Sequence, residues 1–328
     1  MKHSRMSNCS NPINESLWYE DPTLNVIWRF QIVWEQVSLI LGIFGNAFVL
    51  YATIAHSAIK LDKMSVWIIK NLAAADICSC VLVLLPILLT QYGKLNGTLI
   101  FGETFYVIMG CYFYTFYVAN LIFVNFLSFN KLMRCMFPLR NLNSTRRQRI
   151  AVTMCTILIS SVPTIWTVCG FLDELFVISD RWESIKYLGA VDIGYSYIQF
   201  NERKIGYGTR RIVNNTIIII CSCLPCLSLV ALNSALVVFA VKKSHSAINK
   251  RNLLTVILVT AAFLISVMPY TLEFFLVRST IHGEIAWCLT CLPIWINPFI
   301  YVAVNPCFKE FVKTKLLSCK QSFSVQPL

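Results

Sequence analysis

Apolar residues in this chain come in long stretches with few polar interruptions rather than in short alternating ones. The runs fall at about 35–57, 66–90, 104–133, 148–171, 212–241, 252–277 and 285–304. Each is too long for a core strand of a water-soluble domain. Each matches the roughly 20 apolar residues a helix needs to cross hydrocarbon. The pattern predicts an all-α membrane protein built as a seven-transmembrane helix bundle. A polar segment, 1–34, precedes the runs. After them, Phe308, Phe311, Val312 and Leu316 recur at helical spacing, with Lys309, Lys313 and Lys315 between them. That spacing predicts a short amphipathic eighth helix lying on membrane lipid. Three parts follow: an N-terminal segment 1–34, a membrane domain 35–304, and a helix and tail 305–328.

Composition agrees with this partition. The chain has 328 residues, 57% hydrophobic and 13% charged, with mean hydropathy +0.65. Soluble domains carry roughly 25% charged residues. A net charge of +12 would point to nucleic acid in a soluble protein. Here alternate connections are basic with few acids (Lys60 and Lys63, then Lys131 to Arg149, then Lys242 to Arg251, then the tail), whereas segment 172–211 mixes both signs. The asymmetry predicts an outside N-terminus and an inside C-terminus, so it reflects membrane topology and not a nucleic-acid partner. Asn8 and Asn14 head glycosylation sequons on the outer segment. The sequon at Asn143 falls inside and is expected to stay unmodified. Cys319 follows the amphipathic helix as a palmitoylation candidate. Most of the fourteen cysteines lie in apolar runs, where they act as small apolar residues. No zinc-like spacing accompanies the Cys288–Cys291 pair, so no metal is expected.

Polar groups inside the runs carry more information, because each is costly unless paired or hydrated. Asp76 lies in mid-run, at a cost of about 2.5–3.5 kcal/mol on insertion scales. Asn46, Asn120 and Asn297 lie at similar inferred depth in the first, third and seventh runs. They read either as one buried cluster or as four separate side chains bonding locally. In the last run, Asn297-Pro298-Phe299-Ile300-Tyr301 joins an amide to a proline that frees a backbone carbonyl.

These residues, in order, resemble those of the rhodopsin-like (class A) G-protein-coupled receptors over nearly the whole chain. The matching motifs are Gly45-Asn46, Asn71-Leu72-Ala73-x-x-Asp76, Asn297-Pro298-x-x-Tyr301, Pro225, Pro269, and Phe263 six residues before Pro269. The resemblance implies a receptor that binds an extracellular ligand and signals to a heterotrimeric G protein from the plasma membrane. It implies no catalysis and no cofactor beyond a sodium ion at Asp76. Asn46, Asp76, Asn120 and Asn297 would form a sodium-and-water pocket. Leu121, Pro225, Phe263, Pro269, Pro298 and Tyr301 would form the activation switch.

The chain departs from the family pattern at informative places. The triplet for G-protein coupling at the inner end of the third run reads Asn130-Lys131-Leu132. Lys131 keeps a charge but lacks the planar fork of arginine, and Asn130 lacks the charge of the usual restraint. Val267 replaces the sixth-run tryptophan, and Tyr106 replaces the outer cysteine of the third run. Phe113 stands where amine receptors carry aspartate, and Cys291 where opsins carry the retinal lysine. Ligand-pocket candidates are Phe113, Tyr114, Tyr117, Val267, Tyr270, Glu273 and Cys291, although an aromatic stripe can equally be packing. The long outer segment 172–211 and the sequon-bearing head suit a peptide ligand. Two rivals stand beside this reading: a seven-helix receptor that binds ligand without activating G protein, and a transporter or channel, which would call for internal repeats.

Overall fold

The computed structural model describes residues 22–55, 62–95, 101, 103–137, 144–175, 216–217, 219–243, 247–273, 280–304 and 308–314. Among them there is no strand, and the helices form seven rods. The first span is Pro22–Ala55. The second runs Lys63–Ser79, through a π-helical turn Cys80–Leu84, into Leu85–Leu95. The third is Glu103–Met136 and the fourth Arg146–Leu175. The fifth joins a π-helical turn Ile219–Cys223 to Leu224–Lys243. The sixth is Ala247–Glu273, and the seventh is Thr280–Thr290 followed by Leu292–Val304.

Several boundaries differ from the hydropathy runs for local reasons. The first helix begins at Pro22, where a fixed φ and a missing N–H suit the first turn. The second begins where Asp62 caps it, accepting from the Ser65 N–H at 2.8 Å. The seventh is interrupted at Cys291, just before Pro293, which has no N–H for the helix ladder. Each π-helical turn lies just ahead of a proline, Pro86 or Pro225. In both, the missing proline N–H leaves the preceding turn free to widen.

The spans close into a ring. The first packs on the second and seventh, the sixth on the fifth and seventh, and the third touches the second, fourth, fifth and sixth. The third span is therefore the central post, and Val118, Leu121, Val124 and Leu127 are almost wholly buried in the main core. The outward faces are apolar too: Phe44, Ile54, Leu158, Leu227 and Ile265 are each more than half exposed. Water would not tolerate such a girdle, and acyl chains would. Residues 308–314 are helical. Phe308 and Phe311 are buried, stacking on Tyr301 at 5.9 Å and packing against Phe48 at 5.8 Å. The eighth helix therefore puts these two rings on the bundle, leaving Lys309 and Lys313 exposed.

Candidate functional site

Span one lies directly on span seven because two glycines let it. A methyl added at Gly45 would sit 2.9 Å from Pro298 Cβ, and one at Gly42 would sit 2.7 Å from Ile294 Cγ2. That proximity brings Asn46 to the seventh backbone. Its Nδ2 donates to the Ile294 carbonyl at 2.6 Å and to the Gly42 carbonyl at 2.9 Å. The Ile294 carbonyl is the one a residue with an N–H at position 298 would have engaged. Asn46 thus supplies the donor that Pro298 lacks.

At the same depth Asp76 is completely buried. Asn120 Nδ2 donates to its Oδ1 at 2.7 Å. Among the described residues, Asp76 Oδ2, Asn120 Oδ1, both amide atoms of Asn297 and the Tyr301 hydroxyl are buried without a hydrogen-bond partner. The four expected polar residues are all buried, but their direct bonds are not those of one closed cluster. Asp76 and Asn120 are joined, while Asn46 turns to the backbone.

Leu121 and Phe263 lie in the main core, with Pro225 half-buried at the start of the regular fifth helix. Pro269 is half-buried in the sixth. A residue missed by motif reading ties this region together. Asn125 Nδ2 donates to the Leu121 carbonyl at 2.9 Å and the Pro225 carbonyl at 3.0 Å, and Ser228 donates to its Oδ1. Deeper in, Asn233 donates to Ser128 at 3.2 Å.

At the C-terminal end of span three the triplet is engaged by a distant carboxylate. Lys131 Nζ lies 3.1 Å from Asp62 Oδ2, and Asn130 Nδ2 donates to Asp62 Oδ1 at 2.9 Å. Arg134 Nε lies 3.5 Å from the same Oδ2. Burial pushes the Asp62 carboxyl up, but Lys131, the Ser65 N–H and the Asn130 and Ser65 side chains outweigh it and hold it well below the usual carboxylate range. Asn130 carries no charge of its own, and the ion pair here joins its neighbour Lys131 to the carboxylate that caps span two. Leu132 turns away into the core. Sequence spacing could not reveal this, because Asp62 and Lys131 are neighbours only after spans two and three pack.

In the N-terminal half of span three, Phe113 packs on Trp287, with ring centroids 5.1 Å apart, and on Tyr114 and Tyr117 at 5.4 and 5.9 Å. Tyr117, Val267 and Cys291 are buried. Tyr270 and Glu273 lie on the sixth helix, but their side chains, like Asn8, Asn14, Asn143, Cys319 and segment 176–215, fall outside the described residues. Sequence reasoning also missed Glu35. It is wholly buried, and its Oε1 accepts from Trp287 Nε1 at 2.7 Å, Gln31 Nε2 at 3.0 Å and Gln91 Nε2 at 3.2 Å. The signal was present as Gln31, Glu35 and Ser38 on one helical face, but the expected span began at 35 and left Gln31 outside it.

No family model matches the chain. Cysteinyl leukotriene receptor 1 of Sus scrofa is 26% identical over 281 residues, covering 82% of this chain and 75% of that protein. The human receptor of the same name is 25% identical over 291 residues, covering 85% and 79%, and that of Cavia porcellus 24% over 287 residues, covering 85% and 78%. These proteins are receptors and not enzymes. Together with the apolar spans, they make this a multi-pass protein of the cell membrane. Motif order, helix packing and these weak but consistent likenesses agree: over most of its length the chain is similar to the rhodopsin-like (class A) G-protein-coupled receptors.

Proposed function

We propose that the chain receives an extracellular ligand at the outer ends of its helices and activates a heterotrimeric G protein at their inner ends, with its N-terminus outside. The ligand we favour is a peptide, on the strength of the sequon-bearing head and the long segment 172–211. The relatives are named for a cysteinyl leukotriene, and their identity with this chain carries over the receptor class and not the ligand. Signalling is a coupling free energy: ligand and G protein each bind one arrangement of the bundle better than the other.

The observation that carries this reading is the bare Oδ2 of the buried Asp76, accompanied by unpartnered oxygens on Asn120 and Asn297. Hard oxygen ligands suit a sodium ion with water. Such an ion favours the arrangement in which these groups converge, so its loss would permit the other. Leu121, Pro225, Phe263, Pro269, Pro298 and Tyr301 form the switch between the two, and Asn130, Lys131 and Leu132 border the G-protein face. A receptor that binds ligand without activating G protein is the second reading. It is favoured by the engagement of Lys131 with Asp62.

Nucleotide exchange on co-expressed G proteins of each class, in membranes carrying the wild type, Asp62→Ala or Asp76→Asn, tests both. The first reading expects low exchange in the wild type, higher exchange in Asp62→Ala, and a sodium inhibition that Asp76→Asn lacks. No exchange from any variant leaves the second.

A further inference from the structure

Glu35 is a second buried carboxylate, on the outer side of Asn46 and away from Asp76. Its surroundings are lopsided. Three donors, from spans one, two and seven, all converge on Oε1. Among the described residues Oε2 has no hydrogen-bond partner, and neither do Gln31 Oε1, Gln91 Oε1 or Ser38 Oγ, all buried. The two glutamine amides cannot be turned round to repair this, because each would then set an oxygen against the carboxylate. No Lys or Arg among the described residues is ion-paired with Glu35. The site therefore gathers a free carboxyl oxygen, two amide oxygens and a hydroxyl oxygen, while the indole N–H and one N–H of each amide turn to Oε1.

We propose that Glu35, Gln31, Gln91 and Ser38 form a subsite for a monovalent cation, either the alkylammonium end of a ligand or a sodium ion. A group with donors and no acceptor is what such a set satisfies, and an ammonium offers three N–H to Glu35 Oε2 and the two amide oxygens. A sodium ion would use the same oxygens. Trp287 links this subsite to the aromatic cluster: its Nε1 donates to Glu35, while its ring packs on Phe113. The inference rests on the proposed function only for entry of a ligand from outside.

The test uses purified full-length protein in lipid nanodiscs, with Asp76→Asn as background to remove sodium binding there. Thermal unfolding and tryptophan emission are followed in n-butylammonium chloride, sodium chloride or N-methylglucamine chloride at equal ionic strength. A response to butylammonium that Glu35→Gln weakens about tenfold or abolishes identifies a ligand ammonium site. The same loss with sodium alone identifies an ion site. Glu35→Gln keeps an oxygen for Trp287 and is expected to fold, as its own melting curve will report. Serine 38 to alanine, Ser38→Ala, gives a second and milder variant. Equal responses in wild type and Glu35→Gln, or no response to either cation in the wild type, would overturn the proposal. Because no G protein is present, such a failure says nothing against the signalling reading, and silent G proteins would say nothing against the subsite.

Discussion

Asn46 donates to the carbonyl of Ile294 at 2.6 Å, the backbone group that Pro298 leaves without its helical donor. Two motifs far apart in sequence are thereby halves of one hydrogen bond. Asparagine fits because its amide can serve Ile294 and its own Gly42 carbonyl together. Replacing it with Leu leaves a buried carbonyl unsatisfied, at a cost of about 1–3 kcal/mol. Replacing Pro298 with Ala restores an N–H that can take over. Asn46→Leu is therefore expected to lower the unfolding temperature strongly in the wild type and much less in Pro298→Ala. Thermal unfolding of the four proteins in a double-mutant cycle measures the difference. Equal costs in both backgrounds would rule out this division of labour.

The same contact constrains Gly45. A Cβ there meets the Pro298 ring at 2.9 Å, and a proline ring cannot rotate aside. Gly45→Ala is expected to push spans one and seven apart and to cost about 1–3 kcal/mol, the usual range for overpacking. The fraction of protein recovered folded from detergent, compared with Gly110→Ala, checks this, since a Cβ at Gly110 meets nothing within 4 Å.

The spans themselves were legible because membrane solvation imposes long apolar runs. The local motifs were legible because proline and buried amides have consequences within a few residues. Partnerships between spans were not. Asp76 could be read as buried, but nothing in its neighbourhood along the chain distinguishes Asn120, to which it bonds, from Asn46, to which it does not. Glu35 was hidden for a different reason: hydropathy weakens at Gln31, Trp34 and Glu35, so the apolar run begins well after the helix, and the helical face from Gln31 to Ser38 is cut in two. Asn125 belongs to no motif, and only the approach of span five gives it a role.

Asn125 makes its own prediction. Its amide fixes the third span to the Pro225 carbonyl, next to the π-helical turn Ile219–Cys223. Asn125→Ala removes that link and the bond to Ser228, in a partly buried setting. A loss of about 1–2 kcal/mol is expected, near the range for one or two ordinary hydrogen bonds. Hydrogen exchange should rise first in the turn before Pro225, where the helical ladder is already interrupted. Unchanged exchange there would show that Asn125 does not hold the bulge.

Asp62 and Lys131 give the last prediction, and it concerns pH. The folded carboxyl titrates below its usual value, chiefly because the attraction of Lys131 and the hydrogen bonds from Ser65 and Asn130 outweigh the effect of burial. A depressed folded pKa means that the unfolded chain takes up the proton first. The contribution of this group is fully present above the ordinary aspartate value of about 4. It is lost as pH falls from there through the folded value. Asp62→Asn keeps the side-chain shape and removes the charge, so it should melt below the wild type at pH 7, with the gap closing only under acid conditions beneath about pH 4. It should also free Lys131 and raise basal nucleotide exchange. Melting curves from pH 3 to pH 7 in lipid nanodiscs test the first part. A gap that closes near neutrality would mean that another group, and not Asp62, sets the pH dependence of this inner-end contact.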